Sequence, residues 1–411
     1  MSLRFLPAVA LGRAVRVAAR LRKAGGGSAV PGLVVNRVAP GFLGATLSSF
    51  PEGLVVVTGS AGKSTTTKML VAVLEAHGKR VFTNPSTANI SQGLTSALLE
   101  RASLTGRIDA DLAVLEMDEG HGAALSDRFR SRLVLVTNVV TDQIDRFHDS
   151  EKVLAMVGRI AATATGTVVL NGDDGLLARL TPTAPVRRFG VTAEVLDAAP
   201  RGLGYAETAA ERSDGVLVEA VRGREADVRI DGAATTVALP AKGVHYAVDA
   251  AGALAAAQAL LGDAFRRDVA QGALAAMPPV FGRGEVVTVR GKRVEFVLVQ
   301  NPASFQLNVD ELDEGLEQVL VAMGSDVRDP SYFWPADASR IGRAIVVSGS
   351  KADEIALQLI YQGVQVVRIE PDLGAALDHF LALPDPARGM KTIVFTADSM
   401  RRTRSHLGLA R

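Results

Sequence analysis

From residue 54 to residue 170, short runs of apolar, mostly β-branched residues alternate with longer stretches in which apolar positions recur at helical spacing. The runs fall at 55–58, 80–83, 112–116, 133–137 and 167–170, and 68–77 has the pattern of a helix. Such alternation builds a mostly parallel sheet. From 191 to 242 the pattern changes: Gly, Thr and Val are scattered among charges with few helical periods, which predicts a small β-rich insert. Helix returns over 240–261, where 248–261 is almost wholly Ala and Leu and must be buried. The run Pro278-Pro279-Val280-Phe281-Gly282-Arg283-Gly284-Glu285 marks a hinge, and strands recur beyond it at 286–289, 294–300, 344–348, 364–369 and 392–396. The pattern therefore predicts an α/β protein with an N-terminal segment over 1–45, a central domain over 46–280 holding the insert 191–242, and a second α/β domain over 281–411. Two such bodies joined at a proline hinge leave a cleft suited to two substrates.

Ahead of these, residues 3–23 are basic and apolar. Leu6, Val9, Leu11, Val15, Val17 and Leu21 are expected on one face of a helix, with arginines on the other. Arg13, Arg16, Arg20 and Arg22 interrupt every window long enough to span a bilayer, so neither a signal peptide nor a membrane span is expected. Two readings stay open: peripheral contact with a membrane surface, or a helix docked on the body of its own protein. Gly25-Gly26-Gly27-Ser28 is expected to be a flexible joint.

Composition narrows the chemistry. A chain of 411 residues exceeds what one core normally organises. The balance of 45 basic to 44 acidic side chains gives no global charge that points to nucleic acid. Cysteine is absent, which removes disulfides, thiolate metal sites and any thiol nucleophile.

The densest chemistry lies at Thr58-Gly59-Ser60-Ala61-Gly62-Lys63-Ser64-Thr65-Thr66, between the first strand and its helix. That order makes a phosphate cradle: backbone amides over Gly59 to Ser64 face phosphate oxygens, the helix N-terminus adds positive potential, Lys63 neutralises charge and the Ser64 hydroxyl can hold Mg²⁺. ATP is the expected ligand. Gly59 and Gly62 have two residues between them where the common kinase and GTPase loop has four, and the shorter spacing is that of the Mur ligases. Acids cluster at later strand ends, where ligands of parallel sheets bind. Glu116 is the candidate Mg²⁺ ligand with Ser64. Asp118, Glu119, Asp142 and Asp145 serve equally well as caps or surface charges.

Further strings carry a resemblance that spans nearly the whole chain. Asn84-Pro85-Ser86-Thr87-Ala88-Asn89, Glu116-Met117-Asp118-Glu119, Thr137-Asn138 with Asp142-Gln143-Ile144-Asp145-Arg146, and Asn171-Gly172-Asp173-Asp174 resemble, in order, segments of the MurT subunits of lipid II isoglutaminyl synthases. Phe281-Gly282-Arg283-Gly284-Glu285, Gln300-Asn301-Pro302-Ala303, Asp326-Val327-Arg328-Asp329 and Ser348-Gly349-Ser350-Lys351-Ala352-Asp353 are similar to that family's Rossmann-like C-terminal domain. The resemblance implies a cytoplasmic enzyme of peptidoglycan synthesis, with the inner membrane face left open as its place of work. It uses ATP to activate the α-carboxylate of D-glutamate in the lipid II stem peptide as an acyl phosphate, and ammonia then gives D-isoglutamine. The ammonia comes from a partner glutaminase, GatD, in keeping with a chain that has no cysteine of its own. An aspartate of the C-terminal domain completes the glutaminase site: Asp329 is the first choice and Asp326 the second, against a turn-forming role before Pro330. Asn138 is placed near the nucleotide with Gly59, Ser60, Ala61, Gly62, Lys63, Ser64 and Thr65, and Arg283 at the hinge is set to bind phosphate or carboxylate or to form a salt bridge.

The chain departs from the family in places. The zinc-ribbon cysteines are missing, so no zinc is expected. The family's Tyr-Asn and following Asn near the adenine stand as His245-Tyr246 and Asp249, its Lys-Asn-Pro as Gln300-Asn301-Pro302, and its Thr-Asn loop centre as Ser60-Ala61. Two other readings remain: another Mur-type ligase joining an amino acid to a peptide or folate, or an ATP-binding subunit that has lost catalysis.

Overall fold

The computed structural model describes residues 5–22, 29–85, 90–103, 106–140, 149–199, 202–205, 207–209, 215–278 and 283–409. The glycine joint 25–28, Asp142, Asp145 and residues 279–282 of the hinge run lie outside the described residues, and so does the side chain of Arg283.

Two sheets organise the chain. The first contains β1 (Leu54–Thr58), β2 (Val81–Thr83), β3 (Leu112–Glu116), β4 (Ser131–Val136), β5 (Ala164–Asn171), β6 (Val186–Val191), β7 (Val216–Arg222), β8 (Glu225–Ile230) and β9 (Ala233–Ala238), in the order β2-β3-β1-β4-β5-β6-β7-β8-β9. Pairing is parallel from β2 to β7 and antiparallel from β7 to β9. Every residue of β1 and β3 is buried, as the unbroken apolar runs require of central parallel strands covered on both faces. The chain leaves β1 for β2 at the sheet edge, returns to β3 on one side of β1, and then passes to β4 on the other. The end of β1 is therefore the switch point where an open sheet forms a ligand crevice.

The segment 191–242, expected to be a small β-rich insert, holds three strands. Its strands β7 to β9 continue the first sheet, with Phe189↔Val216 pairing carrying the ladder across. Alternate residues of β8 and β9 are buried, so these strands add a half-covered wing to a fully covered centre. The helix Val244–Leu261 lies against this sheet. By length and composition it could cross a membrane, yet 14 of its 18 residues are buried in the core. Its small residues allow close approach: a Cβ on Gly252 would sit 3.0 Å from the Phe189 ring.

The second sheet holds β10 (Arg283–Val289), β11 (Lys292–Leu298), β12 (Val319–Ala322), β13 (Arg343–Ser348), β14 (Gln365–Val366), β15 (Ile369–Glu370) and β16 (Lys391–Phe395). The order is β10-β11-β16-β12-β13, with β14 and β15 both pairing β13. The single strand expected over 364–369 is thus two short ones, interrupted at Val367 and Arg368. All pairs but β10·β11 are parallel.

The N-terminal helix, Leu6–Arg22, also differs from expectation. Phe5, Ala8, Val9 and Gly12 are buried, while Leu6, Leu11 and Val17 face outward. The six apolar residues thus do not share one face. The inward stripe follows the i, i+3, i+4 spacing of 5, 8, 9 and 12, seated by a glycine against the body. Arg13 donates to Ala102 O and Arg16 pairs with Glu100, so both arginines reach back to the protein.

Candidate active site

The loop at the end of β1 is shaped by its glycines. Gly59 and Gly62 have φ of 119° and 81°, a region that side chains strain to occupy. There is also no room: a Cβ on Gly59 would lie 2.3 Å from Thr137 Oγ1, and one on Gly62 would lie 2.2 Å from Asp249 Oδ1. Gly62 then opens the helix Lys63–Ala76. The first N–H groups of any helix lack intrahelical acceptors, so this end carries the positive potential an anion seeks.

Asn138 holds the loop from below. Its carbonyl accepts from Ser60 N at 2.9 Å, its Oδ1 accepts from Ala61 N at 2.9 Å, and its Nδ2 donates to Ala61 O at 3.3 Å. Thr137 Oγ1 donates to the same Ala61 O at 2.6 Å. The amides of Ser60 and Ala61 are therefore spent on Asn138, and the cradle is narrower than the full run from Gly59 to Ser64. Asn138 itself acts as a brace between β4 and the loop. A second brace lies behind it: Asp174, wholly buried, accepts from Val139 N at 2.6 Å and from Leu176 N and Leu177 N at 3.0 and 3.2 Å. Burial raises the Asp174 pKa to about 6 against the pull of those three donors.

Two acids from the end of β3 meet the loop, because parallel pairing sets Val57 beside Glu116. Ser64 Oγ donates to Glu116 Oε2 at 2.8 Å. The Glu116 backbone is clamped by Asn84, whose amide group exchanges two bonds of 3.0 Å with Glu116 N and O. Lys63 Nζ donates to Gly59 O and, at 3.0 Å, to Ser60 O, and lies 3.3 Å from Glu119 Oε1. Glu119 is 3% exposed, its Oε2 has no hydrogen-bond partner among the described residues, and burial raises its pKa, with Lys63 opposing. Asp118 caps the helix Glu119–Leu125 through Gly120 N and His121 N. Asp249 receives the Thr66 hydroxyl at 3.1 Å, next to Gly62. Lys63, Ser64, Glu116 and Asn138 thus converge at one crevice. Glu119 and Asp249 join them; both were in view, Glu119 as one of several acids and Asp249 at a position the family places near the adenine, but not as members of this set.

The oxygen donors suit a hard cation. Among the described residues no three His, Cys, Asp or Glu side chains gather as a metal cage. Mg²⁺ seldom needs one, since it keeps waters and takes its remaining ligands from phosphates, with one or two protein oxygens. Ser64 and Glu116 fit that pattern.

The two C-terminal aspartates sit elsewhere, on the loop after β12. Asp326 Oδ1 accepts from Thr396 Oγ1 at 2.8 Å beyond β16. Asp329 caps the turn Pro330–Phe333 through Ser331 N at 3.0 Å, and its pKa is lowered by hydrogen bonding to Ser331. Both are exposed. Asn301 opens the helix Pro302–Asp310 with a capping box to Ser304, so Gln300-Asn301-Pro302 is a helix start. Arg283 begins β10, its backbone paired with Val297.

Similarity to known proteins bears on family and fold. A model of the Mur ligase middle domain matches residues 57–257, and one of the MurT ligase C-terminal domain matches 298–396. The chain is 29% identical over 392 residues to the lipid II isoglutaminyl synthase (glutamine-hydrolyzing) subunit MurT of Streptococcus pneumoniae, covering 85% of each chain. It is 24% identical to the subunit of that name from Staphylococcus aureus, covering 84% of this chain and 86% of that one. Among solved structures, MurF from Acinetobacter baumannii superposes with a TM-score of 0.68 at 16% identity, over 92% of this chain and 80% of that one. Mycobacterium tuberculosis folylpolyglutamate synthase, complexed with ADP and AMPPCP, gives 0.64 at 18%, over 89% and 93%. These two show the shared fold.

Proposed function

Because this chain belongs to the Mur ligase family, a family of ATP-dependent ligases, and carries a MurT-type C-terminal domain, we propose that it amidates the D-glutamate α-carboxylate of the lipid II stem peptide to D-isoglutamine. The observation that carries the reading is the Ser64 Oγ to Glu116 Oε2 bond at the mouth of the Gly59–Gly62 loop. Two oxygens able to hold a cation thus lie beside a helix N-terminus whose potential suits phosphate, which supports the reading.

In this mechanism the first turn of the helix Lys63–Ala76 binds the terminal phosphates, and Asn138 and Thr137 keep the loop from collapsing. Lys63 stands with its charge at the loop. Burial of Glu119 disfavours that carboxylate's charged form, which weakens its claim on the ammonium and leaves the lysine's charge to the phosphates. Mg²⁺ held by Ser64 and Glu116 would offset charge between the phosphate groups. The substrate carboxylate oxygen attacks the γ-phosphorus, the bond to the bridging oxygen breaks, and ADP leaves. Ammonia then attacks the acyl carbon, phosphate departs, and the spare proton passes to solvent. A GatD-like glutaminase supplies the ammonia, since a glutaminase of that class needs a cysteine and this chain has none. Asp329, with Asp326 as alternate, is the residue offered to the partner's site. The enzyme is cytoplasmic and its lipid-linked substrate brings it to the inner membrane face.

The test is incubation with ATP, Mg²⁺, lipid II and ammonium, followed by mass analysis of the stem peptide. Exchange of one hydroxyl for an amino group with release of phosphate is expected. Unchanged lipid II at high ammonium overturns the reading, and product formed only with an added amino acid would transfer the chain to the peptide-joining Mur ligases.

A further inference from the structure

The N-terminal layer turns a common arrangement inside out. Surface helices normally put charge outward, but the exposed face of Leu6–Arg22 over its first three turns is Leu6, Pro7, Ala10, Leu11, Ala14 and Val17, without a charge. The next helix, Val30–Val38, exposes Val30, Leu33, Arg37 and Val38. Leu33, Val38 and Val17 are 55%, 56% and 60% exposed. The inward sides are seated by small residues: a Cβ on Gly12 would lie 2.8 Å from Val35 Cγ2, and one on Gly32 would lie 1.9 Å from Gln92 O. Both helices are thus fixed to the body with large apolar side chains left outside.

Charge identifies what would cover them. The first 51 residues contain seven basic side chains (Arg4, Arg13, Arg16, Arg20, Arg22, Lys23 and Arg37) and no acidic one, although the whole chain is balanced at 45 to 44. Arg13 and Arg16 reach back to Ala102 O and Glu100, while Arg37 is exposed beside Leu33 and Val38. An apolar face within a basic, acid-free segment matches an anionic bilayer surface, where aliphatic side chains enter the acyl boundary and cations meet headgroup phosphates.

We propose that the helices Leu6–Arg22 and Val30–Val38 form a docking face for an anionic phospholipid membrane. The purpose of such a face rests on the lipid-linked substrate proposed above, whereas the face itself is read from this layer alone. The test is sedimentation of the full chain with its glutaminase partner on phosphatidylcholine vesicles with and without phosphatidylglycerol, in the absence of lipid II and ATP. Binding to the anionic vesicles, weakened by salt, is expected. Leu11→Glu with Leu33→Glu should reduce it by about tenfold or more and Arg37→Glu by about fivefold, with melting temperatures unchanged. In detergent-dispersed lipid II the leucine variant should amidate like the parent, and on vesicle-borne lipid II it should be slower. Absence of vesicle binding, equal binding by the leucine variant, or binding that occurs only without the glutaminase overturns the proposal, the last because protein then covers the face. Vesicle binding is read without turnover, so it stands or falls separately from the amidation reading.

Discussion

Both sheets offer a row of parallel-strand carboxyl ends, yet the two ends are finished in opposite ways. At the first, Glu116, Asp118, Glu119, Asp174 and Asp249 are all buried and each is engaged with a backbone amide, a hydroxyl or Lys63. At the second, Asp326 and Asp329 stand exposed, the first accepting from Thr396 across the sheet and the second from Ser331 in its own turn. Parallel topology creates a crevice in each case. What differs is desolvation, which fixes the acids of the first end in place. An exposed end leaves its acids accessible to a large partner. Burial at the first end also carries a cost, since charge there must be offset by donors, and the orphaned Glu119 Oε2 shows that the offset is incomplete.

The sharpest way to break the comparison is to fill the loop of the buried end. Gly62→Val would place a branched side chain at φ 81° and against Asp249 Oδ1, so nucleotide binding by calorimetry is expected to vanish. Retained binding would mean that this crevice is not where ATP goes. A smaller effect is expected for Glu116→Gln. The Ser64 hydroxyl keeps an acceptor, but the cation loses a charged ligand, so the Mg²⁺ concentration needed for half-maximal activity should rise by roughly ten- to a hundredfold. An unmoved magnesium curve would remove Glu116 from the metal site.

The open end should respond differently. Asp329→Asn keeps the cap on Pro330–Phe333, because an amide oxygen still accepts from Ser331 N. Glutamine-dependent amidation with the partner is expected to fall by about tenfold or more, with ammonium-dependent amidation retained. If both fall together, Asp329 belongs to the ligase; if neither moves, Asp326→Asn is the next variant to show the split.

The buried end was legible where a function is written in adjacent residues. The Val-rich run and the Gly-Lys-Ser turn announce β1, its loop and its helix, and the acid closing β3 could be placed because its strand is one unbroken apolar run. Contacts across the sequence were not. Lys63 meets Glu119 from 56 positions away only because β1 and β3 pair in register, Val57 with Glu116. Asn138 was placed near the nucleotide by family position, while its double use of one side-chain amide on the loop depends on how β4 lies beside β1. β6 escaped notice because Arg187 and Arg188 interrupt its apolar run, and β12 because four residues carry no period. The N-terminal helix misled for a packing reason: the small residues Ala8 and Gly12 share the inward stripe with Phe5 and Val9, while Leu6, Leu11 and Val17 were left outside.

The two ends also differ in the sign of their pH response, and Asp174 gives the finest test. Its pKa is about 6 in the folded chain against an ordinary value of 3.8, with burial the leading cause. Below the lower value both states are protonated. Between the two, the unfolded chain has released a proton that the folded one keeps, so this carboxyl's contribution to stability is full at low pH and is lost as pH rises through about 4 to 6, by about 3 kcal/mol at most. Asp329 is shifted the other way, so its contribution is present at neutral pH and lost on acidification. Asp174→Asn should be less stable than the parent at low pH, because an amide NH₂ replaces an oxygen facing Val139 N or Leu176 N, and the gap should narrow as pH rises through that window. Urea midpoints for the two chains across this range measure the gap. A constant difference would show that Asp174 titrates normally, and that the three backbone donors, rather than burial, set the charge behind the phosphate loop.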